Sequence, residues 1–160
     1  PKNERERSNV DQWLFWQMGG LGPMAGQAHH FRMYAPQFTK EKLTYSKKRY
    51  TNEVNRLYGV MNKQLRKNDY LAGRYSIADM ACWGWILPSK ISSKMQGQKL
   101  KEFPHLFKWF EKVGERPAVQ KGLDVGKVMR MLAKASKSGL SEKTKEAKKA
   151  RSLLFNQKAR

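Results

Sequence analysis

An all-α domain is the fold class this sequence predicts, and three stretches predict it. Ser76 stands three residues before Asp79 at the head of an apolar run, the spacing of a capping box. The hydroxyl is placed to take the backbone N–H of Asp79 while the carboxylate reaches back to the N–H of Ser76, and Tyr75 and Met80 occupy the two staple positions. Upstream, Tyr50, Val54, Leu57, Tyr58, Met61 and Leu65 recur at steps of three and four, with Lys47, Lys48, Glu53, Lys63, Arg66 and Lys67 largely on the opposite face. Downstream, Phe103, Leu106, Phe107, Phe110 and Val113 line one side of a shorter segment.

Taken in order, Lys2 to Arg7 is a charged lead into a short helix carrying Val10, Trp13, Leu14, Phe15, Trp16 and Met18, with Asp11 in its first turn, where a carboxylate is favoured. Gly19-Gly20, Gly22-Pro23 and Gly26 follow closely and are expected to kink or interrupt that helix. Ala35-Pro36 opens a linker, and the next helix is expected from about residue 42 or 45 to 67, ended by Asn68-Asp69 and Gly73. In the capped helix, Ile77, Met80, Ala81, Trp83, Gly84, Ile86 and Leu87 leave almost no polar face, so it is expected to be central and covered on most sides. Pro88 is expected to kink or stop it, and residues 89–99 to form an irregular continuation. A helix begins near Pro104, with Trp109 at the edge of its stripe; Gly114 and Pro117 end it, and an amphipathic segment covers about 118–133. From Lys134 the chain is strongly basic up to Leu153-Leu154-Phe155, giving a helical domain over residues 1–133 and a basic extension with a small apolar anchor over 134–160.

Composition bounds what such a domain can be. The 160 residues suit a single core, and 39% hydrophobic residues with five Trp, six Tyr and seven Phe exclude a disordered basic chain. Cys82 is the one cysteine, which forbids an intrachain disulfide and fits a reducing, cytoplasmic setting. No stretch is apolar enough to span a membrane, and the first eight residues lack a signal peptide's hydrophobic segment. With no initiator Met, a processed chain or a piece of a longer one is expected. The formal charge of +20 far exceeds the roughly 2 to 8 units of a small soluble domain. It implies either a lysine-biased surface or attraction to polyanions, and the even spread of lysines favours the surface.

Enzymatic motifs are missing: there is no HExxH, cysteine pair, nucleophile elbow or phosphate loop, so no catalytic residue is expected. His29-His30 has no third ligand at a suitable local spacing and is read as packing or hydrogen bonding rather than a metal site. Cys82 lies in the apolar run with no positive neighbour to stabilise a thiolate, and is read as a packing residue.

Four segments nevertheless resemble the all-helical C-terminal domain of cytosolic glutathione transferases: QWLFWQMGGLGPMAGQAHHF (Gln12 to Phe31), KRYTNEVNRLYGV (Lys48 to Val60), YLAGRYSIADMACWGW (Tyr70 to Trp85) and FPHLFKWFEKVGERPAVQKGL (Phe103 to Leu123). More narrowly they resemble the bacterial and fungal Nu-class enzymes that act as glutathione-dependent disulfide-bond oxidoreductases. The SIAD cap is shared by many subfamilies, whereas the run from Gln12 is much more specific. LLFNQKAR at Leu153 to Arg160 is similar to the family's C-terminal end, so the resemblance covers nearly the whole chain. Gly84 departs from it, standing where close relatives commonly have Pro, and loosens a helix by roughly 1 kcal/mol relative to Ala.

The resemblance implies a helical bundle that completes a glutathione site held mainly on an N-terminal thioredoxin-like domain, in a homodimer. It implies that this chain corresponds to the second domain, and that the activity is thiol–disulfide exchange or conjugation of glutathione to an electrophile. Its contribution to the glutathione site maps onto Gln12, onto Trp16, Gln17, Met18 and Gly19, and onto Arg49, whose guanidinium would lie near the tripeptide across the dimer interface. A planar guanidinium suits a ligand with two carboxylates. The competing reading is a basic binding or structural domain, such as a ribonucleoprotein component, with weak, salt-sensitive affinity for polyanions.

Overall fold

The computed structural model describes residues 1–125, and every regular element among them is helical. Helix α1 (Glu4–Trp16) begins before the apolar pattern does, so the charged lead is itself helical. The reason is local: the side-chain oxygen of Asn3 accepts the N–H of Glu6 at 2.9 Å, and Glu4 and Glu6 occupy the first turn, where the helix dipole favours acids.

The glycine-rich run ends α1 at Trp16, but the chain stays helical through it. It passes through a π turn (Gln17–Leu21), α2 (Gly22–His29) and a second π turn (His30–Tyr34) before a short 3-10 turn (Ala35–Gln37). The widened turn lets the N–H of Gly22 reach the carbonyl of Gln17, and Pro23, with no N–H to offer, falls in the first turn of α2, where none is needed.

Helix α3 (Thr44–Leu65) buries Val54, Leu57, Tyr58, Met61 and Leu65, as its periodicity predicts, and α2 packs along it. Tyr50 lies at the edge, stacked on Phe31 with ring centroids 5.4 Å apart. Asn62 of α3 caps α6 (Pro104–Gly114) from the side: its Oδ1 accepts the N–H of His105 at 2.9 Å and of Leu106 at 3.1 Å.

The capping box forms at the start of α4 (Ile77–Ile91). Ser76 Oγ accepts the N–H of Ala78 at 3.3 Å, and the Asp79 carboxylate accepts that of Ser76 at 3.0 Å. The helix is less enclosed than its composition suggests. Ala78, Cys82, Trp83 and Ile86 are buried, but Ile77, Met80 and Ile91 are 56%, 54% and 66% exposed. Helices α1 and α2 and the first π turn lie against α4, yet an apolar face remains open. Pro88 does not stop α4 either. Its missing N–H leaves the Gly84 carbonyl without a helical partner, and Gly84 is exposed, where water can satisfy it.

Beyond α4, Ser92 caps the short α5 (Ser93–Gln96), and Gly97 turns the chain at φ +86°. In α6 the apolar stripe is rotated from the expected one: Trp109 is buried, and Phe107 is at the edge beneath the Lys90 ammonium, 4.7 Å from its ring centroid. Trp109 goes inward because its Nε1 donates to Asp79 Oδ1 at 2.8 Å. Trp83 stacks on Phe110 with centroids 4.8 Å apart and donates to its carbonyl at 2.9 Å. Between α3, α4 and α5, the Tyr58 hydroxyl donates to Gln96 Oε1 at 2.8 Å and lies 3.0 Å from Ser89 Oγ.

Residues Pro1–Val113 form one compact unit and a second begins at Gly114. In the second, α7 (Pro117–Val125) is described, with Gln120 donating to the Gly114 carbonyl at 2.6 Å. The remainder of the segment expected up to 133, the basic extension from Lys134, the Leu153-Leu154-Phe155 anchor and the expected domain boundary lie outside the described residues. Among the described residues no helix is long and apolar enough to cross a membrane.

Candidate functional site

Gln12 and Trp16 come together because they are four residues apart on α1 and share one face. They border an open cavity of about 480 Å³, which the end of α3 and the following loop close with Gln64, Asn68 and Gly73. Trp13 sits beside Trp16 edge to face, ring centroids 5.1 Å apart, and adds a second indole to the wall. The loop side is held by hydrogen bonds: Gln64 Nε2 donates to the Leu71 carbonyl at 2.7 Å, and Asn68 Nδ2 to the Gln64 carbonyl at 3.1 Å. Gly73 sits at φ +86°, the left-handed region that favours glycine.

The lining is chemically neutral, since it contains indoles, amides and aliphatic groups and no titratable side chain. Such a wall can pack against a peptide and hydrogen-bond its amides. It supplies neither acid–base chemistry nor a counter-charge for a carboxylate.

The rest of the Gln12 to Gly19 run points elsewhere. Gln17 is buried, its amide nitrogen only 2.7 Å from where a side chain at Gly22 would begin. Met18 is 67% exposed, and Gly19 faces open space. Trp85 of α4 fills the room made by Gly22 and Gly26, its ring 3.1 Å and 3.7 Å from the positions their Cβ atoms would take.

Arg49 lies near the opposite end of α3, about 22 Å along the helix axis from Gln64 at 1.5 Å per residue. Within one chain, therefore, it does not join the cavity bordered by Gln12 and Trp16. Its guanidinium is exposed and only 4.0 Å from Glu53, whose carboxylate is engaged instead by Arg56 at 2.9 and 2.7 Å. That bidentate pair, with burial opposing, holds the Glu53 carboxyl below its usual pKa. Arg49 is left as a cation with a weak local partner.

Cys82 is fully buried, and its thiol is pushed up to about 12, first by burial and then by the nearby Asp79. It is a thiol at neutral pH and faces no cavity wall described above. His29 stacks on Tyr34 with centroids 5.0 Å apart, and its burial lowers its pKa. Among the described residues no group of three His, Cys, Asp or Glu side chains is placed to hold a metal. The spacing of Gln12 and Trp16 was enough to put them on one face. The amides of Gln64 and Asn68 carried no such signal, because their place depends on how the loop after α3 folds back.

Comparison with known proteins adds the relationship. The family model for "Glutathione S-transferase, C-terminal domain" matches residues 28–123. The disulfide-bond oxidoreductase YfcG of Escherichia coli is 45% identical over 120 residues, 74% of this chain and 52% of that protein. A second disulfide-bond oxidoreductase of the same organism, YghU, is 35% identical over 126 residues, 76% of this chain and 42% of that protein. Among solved structures, a Burkholderia graminis glutathione transferase with two glutathione molecules bound per subunit superposes with a TM-score of 0.68 at 34% identity, covering 78% of this chain and 52% of that one. A Pseudomonas putida glutathione transferase with one glutathione disulfide bound per subunit gives 0.68 at 33% identity, covering 77% and 53%. The chain thus spans about half the length of the curated relatives it matches.

Proposed function

Because the chain belongs to the glutathione S-transferase family and corresponds to that family's C-terminal domain, we propose that it is the helical half of a glutathione-dependent disulfide-bond oxidoreductase. The 45% identity to a disulfide-bond oxidoreductase over 120 residues is the observation that carries this reading. Glutathione would be bound mainly by a partner domain of thioredoxin-like fold. The two tryptophans and the amides of Gln12 and Gln64 would supply a neutral wall beside the tripeptide backbone, and Arg49 would pair with a carboxylate of a tripeptide held by the other subunit of a homodimer.

The chemistry would belong to glutathione itself. Its thiolate attacks one sulfur of a substrate disulfide, the other sulfur leaves as a thiolate, and a second glutathione displaces the remaining substrate thiolate. Two glutathione molecules become one glutathione disulfide, and the substrate gains the two electrons as two thiols. Conjugation to an electrophile would use the same bound thiolate. The buried thiol of Cys82 takes no part, and a glutathione-rich cytoplasm is the natural setting.

The test is steady-state turnover of a small disulfide and of a standard electrophile, by this chain alone and by the chain joined to a thioredoxin-like domain of the family. The chain alone is expected to fold and show no glutathione-dependent turnover, while the joined protein favours the disulfide. Comparable turnover by the isolated chain would sink the proposal. In the joined protein, Arg49→Ala should weaken glutathione binding by about 1.5 to 3 kcal/mol, the size of a charged hydrogen bond. Its melting temperature should barely move, since Glu53 keeps Arg56. Unchanged affinity by calorimetry would return Arg49 to the solvated surface.

A further inference from the structure

A second cavity, of about 600 Å³, opens at the start of α3 and takes no part in the reading above. Four cations line it, Arg32 from the second π turn and Lys42, Lys47 and Lys48 from the entry and first turns of α3, together with the hydroxyls of Thr44 and Thr51. No carboxylate lines it, and none of the four cations is ion-paired among the described residues. Positions 44, 47, 48 and 51 share one helix face, so the fold gathers these charges where simple repulsion would keep them apart. Cations clustered on a surface raise the local concentration of counter-ions.

Arg32 is not a loose surface side chain. Its Nε donates to the Lys94 carbonyl at 2.9 Å and its Nη1 to Thr51 Oγ1 at 3.4 Å. Gly97 makes this seat possible: a Cβ there would lie 2.6 Å from the Thr51 methyl and 3.2 Å from the Arg32 guanidinium carbon. Thr51 is itself tied down through its carbonyl, which accepts Gln98 Nε2 at 2.8 Å. The guanidinium is thus held in place before any ligand arrives.

We propose that this cavity binds a small phosphate-bearing anion with at least two negative charges. Three ammonium groups act as point charges that suit tetrahedral phosphoryl oxygens. Four cations and two hydroxyls also exceed what a single carboxylate can accept. No aromatic side chain lines the cavity, so a nucleobase has nothing to stack on, and recognition rests on the phosphoryl groups.

The test is calorimetric titration of the full 160-residue chain with inorganic pyrophosphate at physiological ionic strength, with citrate and a short RNA duplex as the other ligands. Saturable one-to-one binding of pyrophosphate is expected. Lys47→Gln combined with Lys48→Gln should weaken it roughly tenfold or more, the worth of a charge-assisted hydrogen bond. Lys63→Gln combined with Lys67→Gln, the same change in net charge roughly 20 Å or more away at the other end of α3, should leave it within roughly twofold. Equal weakening by both pairs would reduce the effect to overall charge and overturn the proposal. Tighter binding of citrate, or binding of RNA without pyrophosphate, would overturn it in favour of a carboxylate or nucleic-acid ligand. None of these outcomes depends on glutathione, so the proposal stands or falls apart from the proposed function.

Discussion

One carboxylate, that of Asp79, takes hydrogen bonds from three separate parts of the chain. Its oxygens accept the N–H of Leu71 at 3.0 Å, the N–H of Ser76 at 3.0 Å and the indole N–H of Trp109 at 2.8 Å, all with the side chain fully buried. The cap is the least of these roles, because the same group ties the loop after α3 and helix α6 to the start of α4. Asp79→Ala leaves these donors without partners in the interior, at about 1 to 3 kcal/mol each. The expected loss is on the order of 3 kcal/mol or more in urea unfolding, against roughly 1 kcal/mol for loss of a cap alone. A loss of only the smaller size would show that the Leu71 and Trp109 bonds contribute little. The cap was legible in the spacing of Ser76 and Asp79, because capping is local. The bond to Trp109 was not, since a partner thirty residues away leaves no periodic trace, and that bond is what turns Trp109 inward and moves Phe107 to the edge.

Among the elements, the run from Gln17 to Tyr34 departs most from what glycine and proline suggest. A sequence rich in both reads as a break, yet two π turns keep it helical by letting the backbone reach one residue further back. The glycines serve packing: Gly22 and Gly26 give Trp85 of α4 its place, and Gly22 also lies under the Gln17 amide. A methyl group at position 22 would meet Gln17 Nε2 at 2.7 Å and the Trp85 ring at 3.1 Å. Gly22→Ala should therefore destabilise by about 1 to 3 kcal/mol, the range for overpacking a filled site, although alanine is the better helix former. Gly19→Ala, where the added methyl meets nothing within 4 Å, should instead be neutral or stabilising. Equal melting temperatures for the two variants would remove the packing argument. Helix periodicity told which face of α3 is apolar, but neither the full stripe of α6 nor which apolar face of α4 meets neighbours. Ile77 and Met80 look as buried as Ile86 in the sequence, and only the positions of α1 and α2 separate them.

For the whole molecule, the excess of cations is the property that no single element explains. The 33 Lys and Arg residues against 13 acids give a formal +20, and most of the ion pairs among the described residues are exposed, where each is worth little. A charge of that size attracts any polyanion through counter-ion release, and the attraction falls steeply as salt rises. Tyr58, Trp83, Phe103, Trp109 and Phe110 are buried and cannot stack on a base, while the exposed Phe15, Tyr34, Phe38 and Tyr45 line neither of the two cavities described above. Binding to a short RNA duplex and to an unrelated single strand is therefore expected at low salt, with little distinction between them, and is expected to vanish near physiological ionic strength. Truncation before Lys134 should weaken the low-salt binding of both ligands in proportion to the charge removed. Tight association that survives physiological salt, separates duplex from single strand and disappears on that truncation would put a nucleic-acid-binding module ahead of the glutathione reading. A salt slope equal for the two ligands would instead assign the charge to general electrostatics, and leave the cavity beside Arg32 as the place where it is organised.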